Sequence, residues 1–160
     1  ERKILGVIIP TIETLESEKI SQAILIGTNR TIGSNKYAIE ITKRSSDIKL
    51  TSIATPALVP LIEDRQYDEA YSLICQIIDN RNGEEALILG CTHYAVLGER
   101  LGDQYKENLK IISQDKIIPS KLQTYLKNHP EIENRLSKNQ TRNIHLTKHT
   151  ASYNQFIDSL

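Results

Sequence analysis

Short apolar runs alternate with longer segments of mixed polarity along the chain. An apolar run of this length, bounded by glycine, proline or polar residues, is typical of a strand buried in a parallel sheet. Such runs predict strands at Ala23–Ile26, Ile48–Ala54, Ala86–Leu89, Leu109–Ile112 and Ile144–Leu146. A further run, Ile4–Pro10, predicts a strand or a strand-to-helix junction, because glycine and proline punctuate it.

The segments between these runs carry apolar residues at helical spacing. They predict helices at Thr11–Lys19, Thr28–Tyr37, Pro56–Glu63, Asp68–Asp79, Val96–Gln104, Pro119–Leu126 and Ala151–Leu160. Thr11 is the expected N-cap of the first helix. Residues 131–141 are polar and predict a loop with a short helix. Because strands and helices alternate, we expect an α/β fold built on a parallel sheet.

Composition narrows the function classes. Lys and Arg together number 20, as do Asp and Glu, so no net charge favours nucleic acid or an anionic membrane as partner. The longest apolar run is far shorter than the roughly 20 residues that a membrane-spanning helix needs, and no signal peptide is evident. Two cysteines do not make a disulfide framework, and they fit a reducing, cytoplasmic compartment.

The strongest chemical signal directly follows the apolar run Ala86–Leu89. Gly90 lets a backbone or a ligand approach closely, and Cys91 and His93 would point to the same side if the chain stayed extended. A thiol beside an imidazole is one way in which proteins make a reactive thiolate. A core cysteine with an ordinary histidine, or half of a metal site, would show the same residues, although no second pair stands at ligand spacing.

Hydroxyl side chains recur every third residue after the strand at 23–26. Thr28, Thr31, Ser34 and Tyr37 would be neighbours on a helix. Free N–H groups at a helix start, together with hydroxyls, can bind a carboxylate. A capped helix with a polar outer face explains Ser34 and Tyr37 equally well. The segment lacks the glycine triplet of a dinucleotide-binding turn.

Three segments resemble motifs of the glutamate racemases, which are part of the cofactor-independent aspartate/glutamate racemase superfamily. Leu89–Tyr94 is similar to the second catalytic-cysteine motif, with His93 where the aspartate branch typically has glutamate. Gly27–Tyr37 is similar to the family's segment of regularly spaced hydroxyl residues. Thr55–Glu63 resembles a stretch that usually begins with cysteine, and threonine there is expected to be a mild change. Ala95 replaces a usual proline, which affects the loop geometry and not the chemistry.

The resemblance implies an isomerase that interconverts L- and D-glutamate and supplies D-glutamate for peptidoglycan, and so for the cell wall and cell shape. It implies no cofactor and no metal. Two thiols in the family move a proton on opposite faces of Cα. Cys91 would act on one face, His93 would hold or shuttle its proton, and Glu63 would orient the imidazole. Binding of the substrate, glutamate, would fall to Thr28, Thr31 and Thr92.

The resemblance covers nearly all of this chain but only the later part of the family's longer enzymes. We therefore expect a three-layer α/β domain of the racemase type at residues 1–112. Residues 113–160 would be a segment of a second, incomplete α/β domain. The N-terminal part with the other catalytic cysteine would be a partner, and a homodimer is a further option. The chain alone is expected to be inactive, because its other cysteine, Cys75, lies on an apolar helix face and cannot replace the missing thiol.

Three other functions stay open. The first is racemisation of aspartate or another amino acid by the same site. The second is a non-catalytic α/β module that binds a carboxylate. The third is a hydrolase or transferase in which Cys91 is a covalent nucleophile and His93 its base.

Overall fold

A four-stranded parallel sheet is the framework of the first 125 residues. The computed structural model describes residues 5–44, 47–139 and 145. The strands are β1 (Gln22–Gly27), β2 (Lys49–Ala54), β3 (Ala86–Leu89) and β4 (Lys110–Ser113). Their order across the sheet is β2-β1-β3-β4, and all neighbours run parallel. The predicted α/β class is confirmed, and each of these strands matches a predicted one to within two residues.

Helices connect the strands and cover both faces of the sheet. The helices of the described residues are α1 (Ile8–Ser17), α2 (Asn29–Gly33), α3 (Lys36–Lys43), α4 (Leu58–Glu63), α5 (Tyr67–Asp79), α6 (Gly98–Tyr105), α7 (Gln114–Asn128) and α8 (Pro130–Glu133), with a 3-10 helix at Thr92–Leu97. Successive side chains of a strand point to opposite faces. Ile24 and Ile26 of β1 share a core cluster with α4, α5 and α6, whereas Ala23 and Leu25 share one with α1 and α3. The result is the expected three-layer arrangement.

Burial follows strand position. β1 is buried from Ala23 to Gly27 and β3 along its whole length, because helices cover these central strands on both faces. β2 lies at an edge, and exposed and partly buried positions mix along it. The near-continuous apolar runs thus mark the middle of the sheet, and the mixed run marks its edge.

The N-terminal apolar run, predicted as a strand or a strand-to-helix junction, has no strand in its described residues and enters a helix at Ile8. α1 begins at Ile8, and Thr11, the predicted N-cap, lies in its first turn, where its hydroxyl donates to the carbonyl of Val7 at 2.8 Å. Ile8, Ile12 and Leu15 recur at helical spacing, so a helix brings them together on one face of the sheet. This spacing, and not the short apolar run, decides the local structure.

Three other helices differ from the prediction. The helix expected from Thr28 through Tyr37 is split into α2 and α3, because Asn35 between them has a φ of 53°, in the left-handed region. The helix expected from Val96 begins at Gly98, after the 3-10 helix. The helix expected from Pro119 begins earlier, at the first residue of α7, and it contains the proline.

The chain divides into two compact units, residues 1–125 and 126–160. The first unit holds the sheet, and the described part of the second holds the end of α7 and α8. The domain boundary predicted after residue 112 stays a prediction. The strand predicted at 144–146 and the helix predicted at 151–160 lie outside the described residues, apart from His145, which is exposed.

The strand order reverses in the middle of the sheet. From β1 the chain passes to β2 on one side and then crosses to β3 on the other side of β1. The loops that leave the carboxyl ends of β1 and β3 therefore diverge, and open α/β sheets bind ligands in the crevice at such a point. Thr28 follows β1 and Cys91 follows β3, so both lie at this crevice.

Gly90→Ala is expected to destabilise the first unit. The Gly90 N–H donates to the carbonyl of Ile26 at 2.8 Å, and a Cβ on Gly90 would lie 2.7 Å from that oxygen and 2.7 Å from Cδ1 of Leu25. Because the oxygen is part of the central strand, the collision cannot be relieved by a side-chain rotation. The free energy of unfolding, measured by urea denaturation, should fall by about 1–3 kcal/mol.

Gly102→Ala is the matched control. A Cβ on Gly102, in the middle of α6, meets no atom of the described residues within 4 Å. Alanine should therefore raise the free energy of unfolding by about 0.5–1 kcal/mol, through its better helix propensity. Equal effects of the two substitutions would contradict the assigned role of Gly90.

Candidate active site

Three loops meet at the carboxyl edge of the sheet. Thr28 follows β1, Thr55 follows β2, and Cys91 follows β3 after Gly90. The carboxyl ends of parallel strands lie at the same edge, so residues distant in sequence come together there. The site is therefore built from strand ends, and each loop supplies different side chains.

The turn after β3 brings the thiol and the imidazole together. Cys91 is extended (φ −140°, ψ 139°), and the 3-10 helix begins at the next residue. The Sγ of Cys91 lies 3.7 Å from Nδ1 of His93. The predicted proximity is thus present, but a tight turn produces it and not the extended chain assumed from the spacing.

A carboxylate completes this series of side chains. Oε1 of Glu63, at the end of α4, lies 3.1 Å from Nε2 of His93. The side chains of His93 and Glu63 are 36% and 48% exposed. A pair this open to solvent adds little to stability. What it can do is orient the imidazole, because a hydrogen bond at one ring nitrogen sets the tautomer at the other.

The hydroxyl residues after β1 separate into two groups. Thr28 is the N-cap of α2: its Oγ1 accepts from the N–H of Thr31 at 3.2 Å and lies 3.0 Å from the Thr31 hydroxyl. Ser34 is exposed and donates to the carbonyl of Thr31 at 2.8 Å. Tyr37 is buried in the core, where its hydroxyl accepts from Nε2 of Gln114 at 3.1 Å. The structure therefore brings the Thr28 and Thr31 hydroxyls together, whereas Ser34 bonds a backbone carbonyl and the Tyr37 hydroxyl bonds Gln114 in the core.

Burial raises the pKa of Tyr37, and its hydrogen bond with Gln114 opposes the rise. The phenol thus stays neutral near pH 7, as expected of a core side chain. Thr92, the remaining predicted binding residue, is the first residue of the 3-10 helix and is exposed beside Cys91. The binding roles of Thr28, Thr31 and Thr92 stay predictions.

Sequence reasoning missed a hydroxyl pair beneath the site. Tyr94 is fully buried, and its hydroxyl lies 2.9 Å from Oγ1 of Thr55 and donates to the Thr55 carbonyl at 3.1 Å. Burial raises the pKa of Tyr94, while the hydrogen bond with Thr55 opposes the rise. The two residues are 39 positions apart. The signal that could have drawn attention to them is a phenol inside an apolar 3-10 segment, which needs a buried hydroxyl partner.

Cys75 lies away from the strand ends, in the middle of α5. It is partly buried and packs against the core cluster beneath α5 and α6, as predicted for a packing residue. Burial raises the pKa of both Tyr71 and Tyr105, and contact with the Cys75 thiol adds to the rise. Cys75 therefore contacts two phenols between these helices.

No group of three or more His, Cys, Asp or Glu side chains is placed to hold a metal ion within the described ranges. No described helix has both the length and the apolar character needed to span a membrane.

Relatives in sequence are named glutamate racemases, although no protein-family model matches the chain. One from Oceanobacillus iheyensis is 31% identical over 138 residues, which cover 82% of this chain and 50% of the relative. One from Staphylococcus carnosus is 33% identical over 116 residues, which cover 69% of this chain and 44% of the relative. The chain thus spans about half the length of the curated relatives it matches.

Solved structures share the fold. A glutamate racemase isoform from Bacillus anthracis superposes with a TM-score of 0.67 at 28% identity, over 78% of this chain and 48% of that one. The Francisella tularensis glutamate racemase, solved with D-glutamate, gives 0.67 at 24% identity over 93% and 56%. A Picrophilus torridus aspartate racemase gives 0.60 at 20% identity over 72% and 49%. The last two likenesses show the fold alone. The predicted resemblance to part of the aspartate/glutamate racemase superfamily is confirmed.

Thr28→Ala is expected to lower stability through loss of the N-cap. The substitution removes the acceptor of the Thr31 N–H, and the free energy of unfolding in urea should fall by about 1 kcal/mol. Thr42→Ala is the matched control, because Thr42 is exposed on α3 and its hydroxyl donates only to a carbonyl of the same helix. An equal loss in both variants would show that Thr28 does not act as a cap.

Proposed function

We propose that the natural protein containing this chain, which is similar to about half of a glutamate racemase in sequence and fold, interconverts L- and D-glutamate. The observation that carries the proposal is the series Cys91, His93 and Glu63. The thiol lies 3.7 Å from one imidazole nitrogen, and the other nitrogen lies 3.1 Å from the carboxylate. This series opens at the crevice where α/β sheets bind small ligands.

The order of the three groups gives a route for a proton. A base must be within hydrogen-bond reach of the proton that it removes, and a free thiol is only a few per cent ionised at neutral pH. When Nε2–H of His93 donates to Glu63, Nδ1 carries a lone pair and faces the Cys91 thiol. His93 then takes the thiol proton, and the thiolate removes the proton from Cα on one face. In the reverse direction the Cys91 thiol returns a proton to that face.

The threonines at the crevice are proposed to bind the substrate. Thr28 and Thr31 present two hydroxyls 3.0 Å apart at the end of β1. Thr92 is exposed directly after Cys91. Hydroxyls at the ends of β1 and β3 can bind the polar groups of an amino acid and so hold its Cα within reach of Cys91. Holding Cα close to the thiol lowers the barrier to proton transfer, and such positioning accounts for a large part of the rate acceleration by enzymes.

Racemisation also needs a second acid or base, because one group cannot reach both faces of Cα. Cys75 is the other cysteine in the sequence, but it packs against the core and contacts Tyr71 and Tyr105. We therefore assign it no role in proton transfer. The second thiol is proposed to come from another part of a longer protein or from a second copy in a homodimer, and these 160 residues alone are expected not to racemise glutamate.

The proposal also gives the product a use. D-Glutamate formed at this site would be supplied to peptidoglycan synthesis and so to the cell wall. We place the protein in the cytoplasm, where a free thiol stays reduced. The second candidate function is racemisation of aspartate, because the same thiol, imidazole and carboxylate would serve that reaction.

Exchange of the Cα proton should depend on Cys91 and not on Cys75. In D₂O the natural protein should replace the Cα proton of L-glutamate with deuterium. The exchange is measured as loss of the ¹H NMR signal of the Cα proton. Cys91→Ser should slow this exchange by about 10²–10⁴-fold, because a positioned acid–base group contributes that much. Cys75→Ser is the matched control and should leave the rate unchanged.

Other outcomes would point elsewhere. Exchange that survives Cys91→Ser would exclude Cys91 as the base. Faster exchange of L-aspartate than of L-glutamate would favour the aspartate racemase. A covalent adduct on Cys91, detected by mass spectrometry during turnover, would favour a hydrolase or transferase. Glutamate binding without any exchange would favour a non-catalytic module.

A further inference from the structure

We propose that Thr55 and Tyr94 are positioning residues that fix the Cys91 turn in its reactive geometry. The inference rests on the proposed function, since the geometry of this turn matters only if Cys91 transfers a proton. The Tyr94 phenol is fully buried and meets both polar oxygens of Thr55, at 2.9 Å and 3.1 Å.

Tyr94 is part of the same turn as the thiol and the imidazole. Its N–H donates to the carbonyl of Cys91 at 3.1 Å, so the backbone from Cys91 to Tyr94 closes on itself. His93 lies between them in the sequence, and its side chain is 36% exposed. The buried phenol is therefore the anchor that places both Cys91 and His93.

The partner of this anchor is itself fixed to the central strand. The N–H of Thr55 donates to the carbonyl of Gly27 at 2.8 Å, and its Oγ1 lies 3.2 Å from the same oxygen. Gly27 ends β1 and precedes Thr28. The phenol thus joins the turn after β3 to the ends of β2 and β1, across the crevice in which the substrate is proposed to bind.

The hydroxyl hydrogens of Thr55 and Tyr94 can be arranged in two ways that agree with these contacts. Each hydroxyl has one hydrogen and can accept as well as donate. In the first arrangement Thr55 donates to Gly27 and Tyr94 donates to Oγ1 of Thr55. In the second, Thr55 donates to the Tyr94 oxygen, and Tyr94 donates to the Thr55 carbonyl. Loss of either hydroxyl removes the hydrogen bond between the two side chains, and the hydroxyl that is left has only a backbone carbonyl as its acceptor: Gly27 for Thr55 or Thr55 for Tyr94.

The threonine is important to this contact. The segment Thr55–Glu63 resembles one that usually begins with cysteine, and a thiol is a weak donor and a weak acceptor. A hydroxyl at this position makes a stronger bond with the phenol. The expectation that threonine is a mild change at this position stays a prediction.

Two measurements test the positioning role in Tyr94→Phe and Thr55→Ala. The first is the rate of Cys91 alkylation by iodoacetamide, divided by the rate at Cys75 in the same molecules, with each site resolved by peptide mass spectrometry. The ratio should fall about tenfold or more, because His93 is no longer placed to take the thiol proton. The second is Cα exchange of glutamate by the natural protein, in which kcat should fall by a similar factor and KM should stay nearly constant.

Two further variants separate positioning from general stability. Thr55→Ser keeps the hydroxyl and should restore both the alkylation ratio and kcat. Ile12→Val trims a buried side chain in the core on the opposite face of the sheet and should change neither quantity. The proposal is overturned if Tyr94→Phe and Thr55→Ala behave like Ile12→Val, or if Thr55→Ser is no better than Thr55→Ala. If the unaltered protein does not exchange the Cα proton, the proposed function fails, and the alkylation ratio still decides whether the pair positions Cys91.

Discussion

The close approach of Gly90 to β1 is the constraint on which the site depends. The Gly90 N–H bonds to the Ile26 carbonyl, in a space that a side chain could not share with that oxygen. β3 can therefore stay beside β1 to its last residue and turn at once. The reversal of strand order at β1 creates a crevice. The glycine is what places a thiol, Cys91, at the edge of that crevice.

Around the crevice, the solvent-accessible residues are the ones proposed to react, and the buried residues fix the geometry of the backbone. The side chains of His93 and Glu63 are partly exposed, and their pairing contributes little to stability. The geometry of the site is fixed by buried residues beneath it. The phenol of Tyr94 contacts Thr55, and Thr55 in turn contacts the end of β1. Buried residues that hold the backbone, together with reacting side chains open to solvent, suit a proton-transfer site, because the substrate must reach those side chains while they stay oriented. The same openness agrees with a site that another part of the protein is proposed to complete.

Much of the fold could be predicted from the sequence, and the exceptions have physical causes. β1 and β3 are nearly continuous apolar runs, which are typical of strands that helices cover on both faces of the sheet. The run Ile4–Pro10 looks similar, but glycine and proline interrupt it, and helical spacing from Ile8 to Ile12 and Leu15 decides the structure of its end. The spacing of Cys91 and His93 predicted their proximity on the wrong assumption of an extended chain. The contact between Thr55 and Tyr94 could not be predicted, because it joins loops 39 residues apart through tertiary structure alone.

The central claim is that Cys91, His93 and Glu63 act as one unit in Cα proton transfer. The most direct test is a double-mutant cycle with Glu63→Gln and Cys91→Ser, measured as the rate of Cα proton exchange of glutamate by the natural protein. If the carboxylate acts only through the imidazole on the thiol, the double variant should be no slower than Cys91→Ser alone. Fully additive losses would show that Glu63 acts independently of Cys91, and would contradict the series of contacts on which the proposed mechanism depends.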